Sequence, residues 1–305
     1  MEGVDIDADT TFALAEVATA RGYELWEYAP QHLSYEEGRI LARARPMQVR
    51  RERGNHVTFG ARELIDLATD IDVVWMRQDP PFDMAYITAA HFLERIKGDT
   101  LVVNDPEWVR SSPEKIVPLD FPDLMPATLI TRDRTRLEAF RERHGDIIIK
   151  PLFGNGGAGV FRMKPGDSNW DSLLEMFLDG TREPIIAQAF LKEVSEGDRR
   201  IIIVDGEPVG GINRVPLPGQ TRSNMHVGGE AKPYTLTKSD LAICAAIGPM
   251  LKARGFILTG IDVIGTKMTE INITSPTGVQ ELKRFSGIDT AALCWDAIEA
   301  KLDAE

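Results

Sequence analysis

A chain of 305 residues with 43% hydrophobic and 27% charged side chains has room for about two domains of ordinary size and the composition of a globular protein. Its net charge of −12 excludes a general nucleic-acid binder, because nothing in that balance would drive counterion release from a phosphate backbone. No apolar run reaches the ~18 residues of a membrane span, and the first residues carry no secretory pattern, so neither a membrane partner nor export is expected.

In chain order, residues 11–21 (TFALAEVATAR) are apolar at helical spacing and end at Gly22. The basic run RARPMQVRRER, 43–53, reads as a solvated face. A β-rich run at 71–76 (IDVVWM) closes on the turn-prone Asp79-Pro80-Pro81, a helix-like stretch follows at 86–96, and a short buried strand at 100–103. That β–α–β rhythm predicts parallel strands joined by crossover helices. A doubly wound domain normally opens on a strand, whereas this chain reaches a helix at once; the expected first strand is absent or lost.

Residues 127–130, 147–149 and 159–163 then read as short strands, with helices at 134–144 and 171–178. Further strands follow at 185–189, 200–204 and 208–213, the last two joined by the turn Asp205-Gly206. A helix at 240–254, a hairpin at 257–264 and 267–273, and a final helix at 290–301 complete the chain. The irregular stretch 215–232 has the length and composition of an active-site lid. Cys244 and Cys294 stand far apart with no second metal ligand near either, so they read as reduced thiols of a cytoplasmic protein.

Two stretches carry chemistry. KPLFGNGGAGVF, 150–161, lacks the Gly-Lys-Ser/Thr of a Walker loop. Its Gly154, Gly156 and Gly159 have dinucleotide spacing but run into a strand and not a helix, so a plain hairpin loop and a phosphate cradle both remain open. GIDVIGTKMTEINITSPTG, 260–278, is a hairpin turning near Gly265-Thr266. Glu270 and Asn272, two apart on a strand, share a face, and Asp262 falls opposite or nearly opposite Glu270. Taken singly, Asp262 reads as part of a polar outer face. The three oxygen donors together, hemmed by β-branched residues, point to Mg²⁺ carrying phosphate oxygens.

The cations complete the pattern. Lys150 ends an apolar strand, Lys115 sits in SSPEKIV at what reads as a short helix start, and Asp198, Arg199 and Arg200 form a charged knot. Arg214 and Arg222 lie at and in the long loop. Basic groups from separate segments around a glycine loop and a three-oxygen site suggest a magnesium–triphosphate pocket. No Ser-His-Asp or Cys-His arrangement supports acyl-enzyme chemistry.

IIIKPLFGNGGAGVFRM, AQAFLKEVSEGDRRIIIVDGEPV and GIDVIGTKMTEINITSPTG resemble the nucleotide-site segments of the prokaryotic glutathione synthetases, in the ATP-grasp superfamily. DTTFALAEVATARGYEL, VVWMRQDPPFD and VVNDPEWVRSSPEK resemble that family's first domain, so the similarity spans nearly the whole chain. The resemblance implies an α/β ATP-grasp fold behind a Rossmann-like N-terminal domain (1–114), with a small lid subdomain at 115–184 and a C-terminal subdomain at 185–305. It implies a ligase joining γ-glutamylcysteine to glycine with ATP through an acyl phosphate, using Mg²⁺ or, in its place, Mn²⁺, in a cytoplasmic homo-oligomer, dimer or tetramer.

By matching position, Lys115, Lys150 and the flap glycines Gly154, Gly156 and Gly157 would contact ATP phosphates, and Asp198 the nucleotide. Gln188, Ala189, Phe190 and Leu191 would meet adenine, and Asp262, Glu270 and Asn272 would hold the metal. Arg200, Arg214 and Arg222 would serve the phosphate and dipeptide carboxylates, with Arg77, Asp83, Ser275 and Thr277 on the peptide. Two other readings share the ATP site: another ATP-grasp amine ligase, and a nucleotide-binding protein without catalysis. MRQDPPFD favours the first function over the former, and the Asp262/Glu270/Asn272 set weighs against the latter.

Overall fold

A computed structural model describes residues 1–217 and 229–304. The N-terminal part begins with helix α1 (Thr10–Ala20), capped by the Asp9 carboxylate, which accepts from the Phe12 amide at 2.6 Å. Five strands follow: β1 (Leu25–Glu27), β2 (Leu33–Glu36), β3 (Arg39–Val49), β4 (Val57–Phe59) and β5 (Glu63–Asp66). Strand β3 is the hub, pairing antiparallel with the other four. The run 43–53 is therefore partly this strand, and several of its charges are paired. Arg45 donates to Glu27 at 2.8 Å and lies over the Phe59 ring, while Arg51 reaches Glu16 at 2.6 Å.

Strand β6 (Val73–Trp75), helix α2 (Met84–Glu94) and strand β7 (Leu101–Val103) form one parallel β–α–β unit. The expected Rossmann-like rhythm is limited to this unit: every other strand pair among the described residues is antiparallel. Alternating helices and strands in sequence also arise where a helix joins strands that are not neighbours, and that is the case further along this chain.

After the short helix α3 (Pro106–Ser111) comes a small unit of β8 (Thr128–Thr131), α4 (Arg134–His144), β9 (Ile147–Pro151), β10 (Phe161–Met163), α5 (Trp170–Gly180) and β11 (Ile185–Ala189). Its strand order is β10-β9-β11-β8, so this sheet runs on to Ala189 and does not end at 184. Leu137 and Phe140 from α4, Leu174 and Phe177 from α5, and Ile147 and Ile149 from β9 make its core.

The large sheet holds β12 (Asp198–Val204), β13 (Glu207–Val215), β14 (Glu230–Tyr234), β15 (Leu258–Ile264) and β16 (Lys267–Asn272), in the order β14-β13-β12-β15-β16. Helices α6 (Lys238–Ala253), α7 (Val279–Ser286) and α8 (Thr290–Leu302) complete the fold. Strand period sorts the side chains between two cores. Ile201, Ile203, Ile261 and Val263 pack with Ile243, Ile247 and Leu251 of α6. Ile202, Val204 and Leu258 turn the other way, against Leu14 and Ala18 of α1 and Cys294, Trp295 and Ile298 of α8. Both cysteines are free and buried in these cores. Among the described residues no helix is long and apolar enough to cross a membrane.

Helix α6 meets the β12–β13 turn at backbone contact. A Cβ on Gly248 would stand 2.5 Å from the Gly206 carbonyl oxygen. The Asp205-Gly206 turn cannot recede easily, since the Asp205 amide is bonded to the Ile257 carbonyl at 2.9 Å. Gly248→Ala is therefore expected to destabilise the protein by about 1–3 kcal/mol, read as a lower urea midpoint.

Candidate active site

The even-numbered positions of β12 and β15 face α7, and at the sheet end near Lys150 of β9 this face turns polar. Arg200 pairs across the strands with Asp262, and Asp198 with Arg214. Next along, Asp262 stands opposite Glu270 and Gly260 opposite Asn272. This register depends on a bulge. Ile264 pairs with Lys267 and Val263 with Met268, but then the register shifts and Thr269 is passed over. An unbroken ladder would put Thr269 opposite Asp262 and turn Glu270 to the apolar face.

The carboxylates are held by four cations. Arg200 grips both oxygens of Asp262, at 2.6 and 3.2 Å, and Arg214 bridges Asp262 at 3.0 Å and Asp198 at 2.6 Å. Lys150 donates to Glu270 at 3.2 Å, with Lys115 at 3.7 Å from the same oxygen. Burial pushes the Asp262 carboxyl up, but the Arg200 and Arg214 guanidinium groups outweigh it and hold the group well below the usual carboxylate range. Glu270 shows the same contest, burial against Lys115 and Lys150, with the lysines prevailing. Burial alone would lower Arg214, yet Asp198 and Asp262 raise it instead.

Of these groups Lys115, Lys150, Asp198, Asp262 and Glu270 form one wall of a cleft of about 120 Å³ between the large and small sheets, whereas Arg200 and Arg214 are not among its lining residues. The flap between β9 and β10 forms another. Gly156 and Gly157 take φ of +61° and +78°, open to glycine at little cost, and the Gly154 carbonyl accepts from the Lys115 ammonium. Lys115 lies in a turn before a 3-10 segment (Val117–Asp120), a correction to the helix start expected for it. Gln188, Ala189, Phe190 and Leu191 line the far end. There the Ala189 and Phe190 backbone amides are committed to the Ala127 and Asp146 carbonyls, and the Gln188 side-chain amide donates to the Thr128 hydroxyl at 3.0 Å.

The peptide-side candidates are more scattered. Arg77 is half-buried, donating to Thr11 and to the Pro276 carbonyl at 3.2 Å each, and burial lowers its pKa. Arg200 reaches the Thr277 carbonyl at 3.3 Å, so the turn carrying Ser275 and Thr277 is tied to two arginines through its backbone. Asp83 is exposed and serves as the N-cap of α2, accepting from the Tyr86 amide at 3.0 Å. Arg222 and most of the expected lid lie outside the described residues.

Two groups escaped the sequence reading. Asn104 is buried and bonds the Leu258 and Ile273 carbonyls, pinning the end of β7 to the hairpin. Glu114 accepts from Thr274 at 2.6 Å, and burial pushes its carboxyl up. Its place beside Lys115 was the only available signal.

The donor set suits a metal carried in on phosphate. Among the described residues no three His, Cys, Asp or Glu side chains gather into a metal cluster. Two carboxylates and an amide, with the Asn272 nitrogen engaged by the Gly260 carbonyl at 3.1 Å and its oxygen the donor on offer, match the partial protein coordination that Mg²⁺ accepts.

Residues 1–110 match the family described as prokaryotic glutathione synthetase, N-terminal domain, and residues 114–287 the prokaryotic glutathione synthetase ATP-grasp domain. The chain belongs to the prokaryotic glutathione synthetase family. Glutathione synthetase of Brucella melitensis is 59% identical over 298 residues, covering 98% of this chain and 95% of that protein. That of Salmonella typhimurium is 43% identical over 301 residues, with the same coverage. Among solved structures, the RimK domain protein ATP-grasp from Sphaerobacter thermophilus has a TM-score of 0.64 at 16% identity, covering 97% of this chain and 96% of that one. D-cycloserine synthetase DcsG has a TM-score of 0.62, covering 78% and 86% respectively. These structures establish the ATP-grasp fold alone. As a glutathione synthetase family member the chain is an ATP-dependent ligase, acting on small molecules with ATP and a divalent metal.

Proposed function

We propose that the protein forms the peptide bond of glutathione in two transfers within this cleft. The γ-glutamylcysteine carboxylate oxygen attacks the γ-phosphorus of ATP and ADP leaves; the glycine amine then attacks the resulting acyl phosphate, losing a proton as inorganic phosphate departs. The observation that carries this reading is the facing of Asp262 and Glu270 among four buried or partly buried cations. Phosphoryl transfer asks for charge neutralisation and positioning and needs no protein nucleophile.

In this reading Lys115, Lys150 and the backbone at Gly154, Gly156 and Gly157 bind phosphates, and Asp198 lies beside the nucleotide. Residues 188–191 seat the adenine. Asp262, Glu270 and Asn272 would hold Mg²⁺, or Mn²⁺ in its place, which when bound neutralises the phosphate oxygens. Arg200 and Arg214, joined by Arg222, orient the transferring phosphate and the dipeptide carboxylate. Arg77, Asp83, Ser275 and Thr277 serve the dipeptide. The small unit with its flap closes over the nucleotide and keeps water from the acyl phosphate, in a cytoplasmic homo-oligomer.

Phosphate release is the direct test. It should require ATP, γ-glutamylcysteine and glycine together and match glutathione formed mole for mole. Turnover with other carboxylates but none with this dipeptide would assign the site to a different amine ligase, and nucleotide binding without turnover would leave a binding protein.

A further inference from the structure

The stretches MRQDPPFD and KPLFGNGGAGVF lie far apart in the chain, and they meet at their phenylalanines. The ring of Phe153, on the flap, stacks on that of Phe82, just before α2, with centroids 6.2 Å apart and planes inclined by 26°. Phe153 does not line the main cleft, although Gly154, Asn155, Gly156, Gly157 and Ala158 beside it do. A large apolar ring on a glycine loop that avoids the cleft has its work elsewhere, on the first domain.

The two sides of the stack differ in firmness. Phe82 packs against the core that holds Val74, Ala90 and Val102, its ring 5.2 Å from that of the buried Tyr86, and the next residue, Asp83, caps α2. Phe153 stands on a loop that turns through Gly156, Gly157 and Gly159, all at positive φ. Both rings are half-buried. A cavity of about 20 Å³ lies against them, lined also by Tyr86 and Glu114, with room for about one water. The Tyr86 hydroxyl is buried without a hydrogen-bond partner. The stack is thus a peripheral contact and not a piece of core. Such a pair favours contact by roughly two- to tenfold beyond the area it buries, enough to hold a loop down and little enough to part in each turnover.

A second tie sits beside it, the Lys115 ammonium donating to the Gly154 carbonyl. That tie depends on a cation which the phosphates also claim in the reading above. The stack carries no charge and survives their arrival.

We propose that Phe153 is a positioning residue, a latch that fastens the flap to the first domain through Phe82 while nucleotide occupies the cleft. Parting of the two rings is then the step that lets nucleotide leave and lets water reach the acyl phosphate. The inference rests on the nucleotide seat proposed above.

Release of a fluorescent ADP analogue from the full-length protein, chased with unlabelled ATP, tests it. Phe153→Ala should speed release about tenfold. In the same variant the phosphate released per glutathione formed should rise above one, because acyl phosphate is lost to water. Phe153→Tyr, which keeps the ring, should release within about twofold of the wild-type rate. Phe82→Ala should speed release as much as Phe153→Ala, and the double variant no more than either alone, the mark of two residues acting through one contact. Unchanged release or an unchanged ratio in Phe153→Ala, equal acceleration in Phe153→Tyr, or additive effects in the double variant overturns the latch and leaves the nucleotide seat standing. The comparison of Phe153→Ala with Phe153→Tyr decides the matter if Phe82→Ala does not fold. A wild type that does not bind the analogue overturns both.

Discussion

Glu270→Ala is expected to lower kcat for phosphate release by at least roughly 10²–10³-fold, the scale of removing one preorganised electrostatic partner from a phosphoryl-transfer site. Glu270 is the shared partner of Lys115 and Lys150, both 7% exposed. Without it, two ammonium groups share a partly dry site with no anion between them, and the hairpin keeps only Asp262 and Asn272 as oxygen donors. Nucleotide should still bind, since both lysines remain to meet its phosphates, so the loss falls on kcat more than on the KM for ATP. Steady-state assays at saturating ATP and magnesium separate the two. A variant retaining activity within tenfold of wild type would refute the metal-binding role of Glu270.

Asp262→Ala should strike stability as well as activity. Asp262 is 4% exposed and neutralises Arg200 and part of Arg214, which are 7% and 4% exposed. Removing Asp262 leaves the buried Arg200 guanidinium without a counter-charge and Arg214 with Asp198 alone, a cost of about 3–5 kcal/mol. Urea unfolding should show the midpoint falling with little change in slope. The pH dependence has a definite sign. The folded carboxyl titrates well below its ordinary value near ~4. Its contribution is therefore complete above that ordinary value and drains away as pH falls toward the folded one, the unfolded chain taking up the proton first. The stability gap between wild type and Asp262→Ala should shrink below about pH 4. A gap that widened in acid would contradict the pairing.

Much of the C-terminal fold was legible because its strands are runs of β-branched residues bounded by turn signals. Ile201–Val204 before Asp205-Gly206, and GIDVI before Gly265-Thr266, announce hairpins by composition alone, and both form. The antiparallel sheet around β3 was not legible. RILARARPMQV mixes exposed arginines with a proline, and its strand character comes from partners on both sides, Glu27 and Phe59 among them. Charge runs carry no period of their own when their counter-charges come from distant segments.

Sequence by itself determined the chemistry on offer: oxygen donors on a β-hairpin, a glycine flap after a lysine, and arginines near them. It placed Asp262 and Glu270 close to one another. Only the tertiary structure decided that they share a face, because side-chain direction reverses with each residue and a single bulge at Thr269 sets the parity. Tertiary structure alone also decided which cations neutralise them, since Lys115, Lys150, Arg200 and Arg214 arrive from four separate segments. Tyr86 and Glu114 likewise gave no pattern to read, one on a helix and one in a turn. Their significance lies in a hydroxyl left unpaired and a carboxylate lining the same small cavity, relations that exist only once the chain is folded.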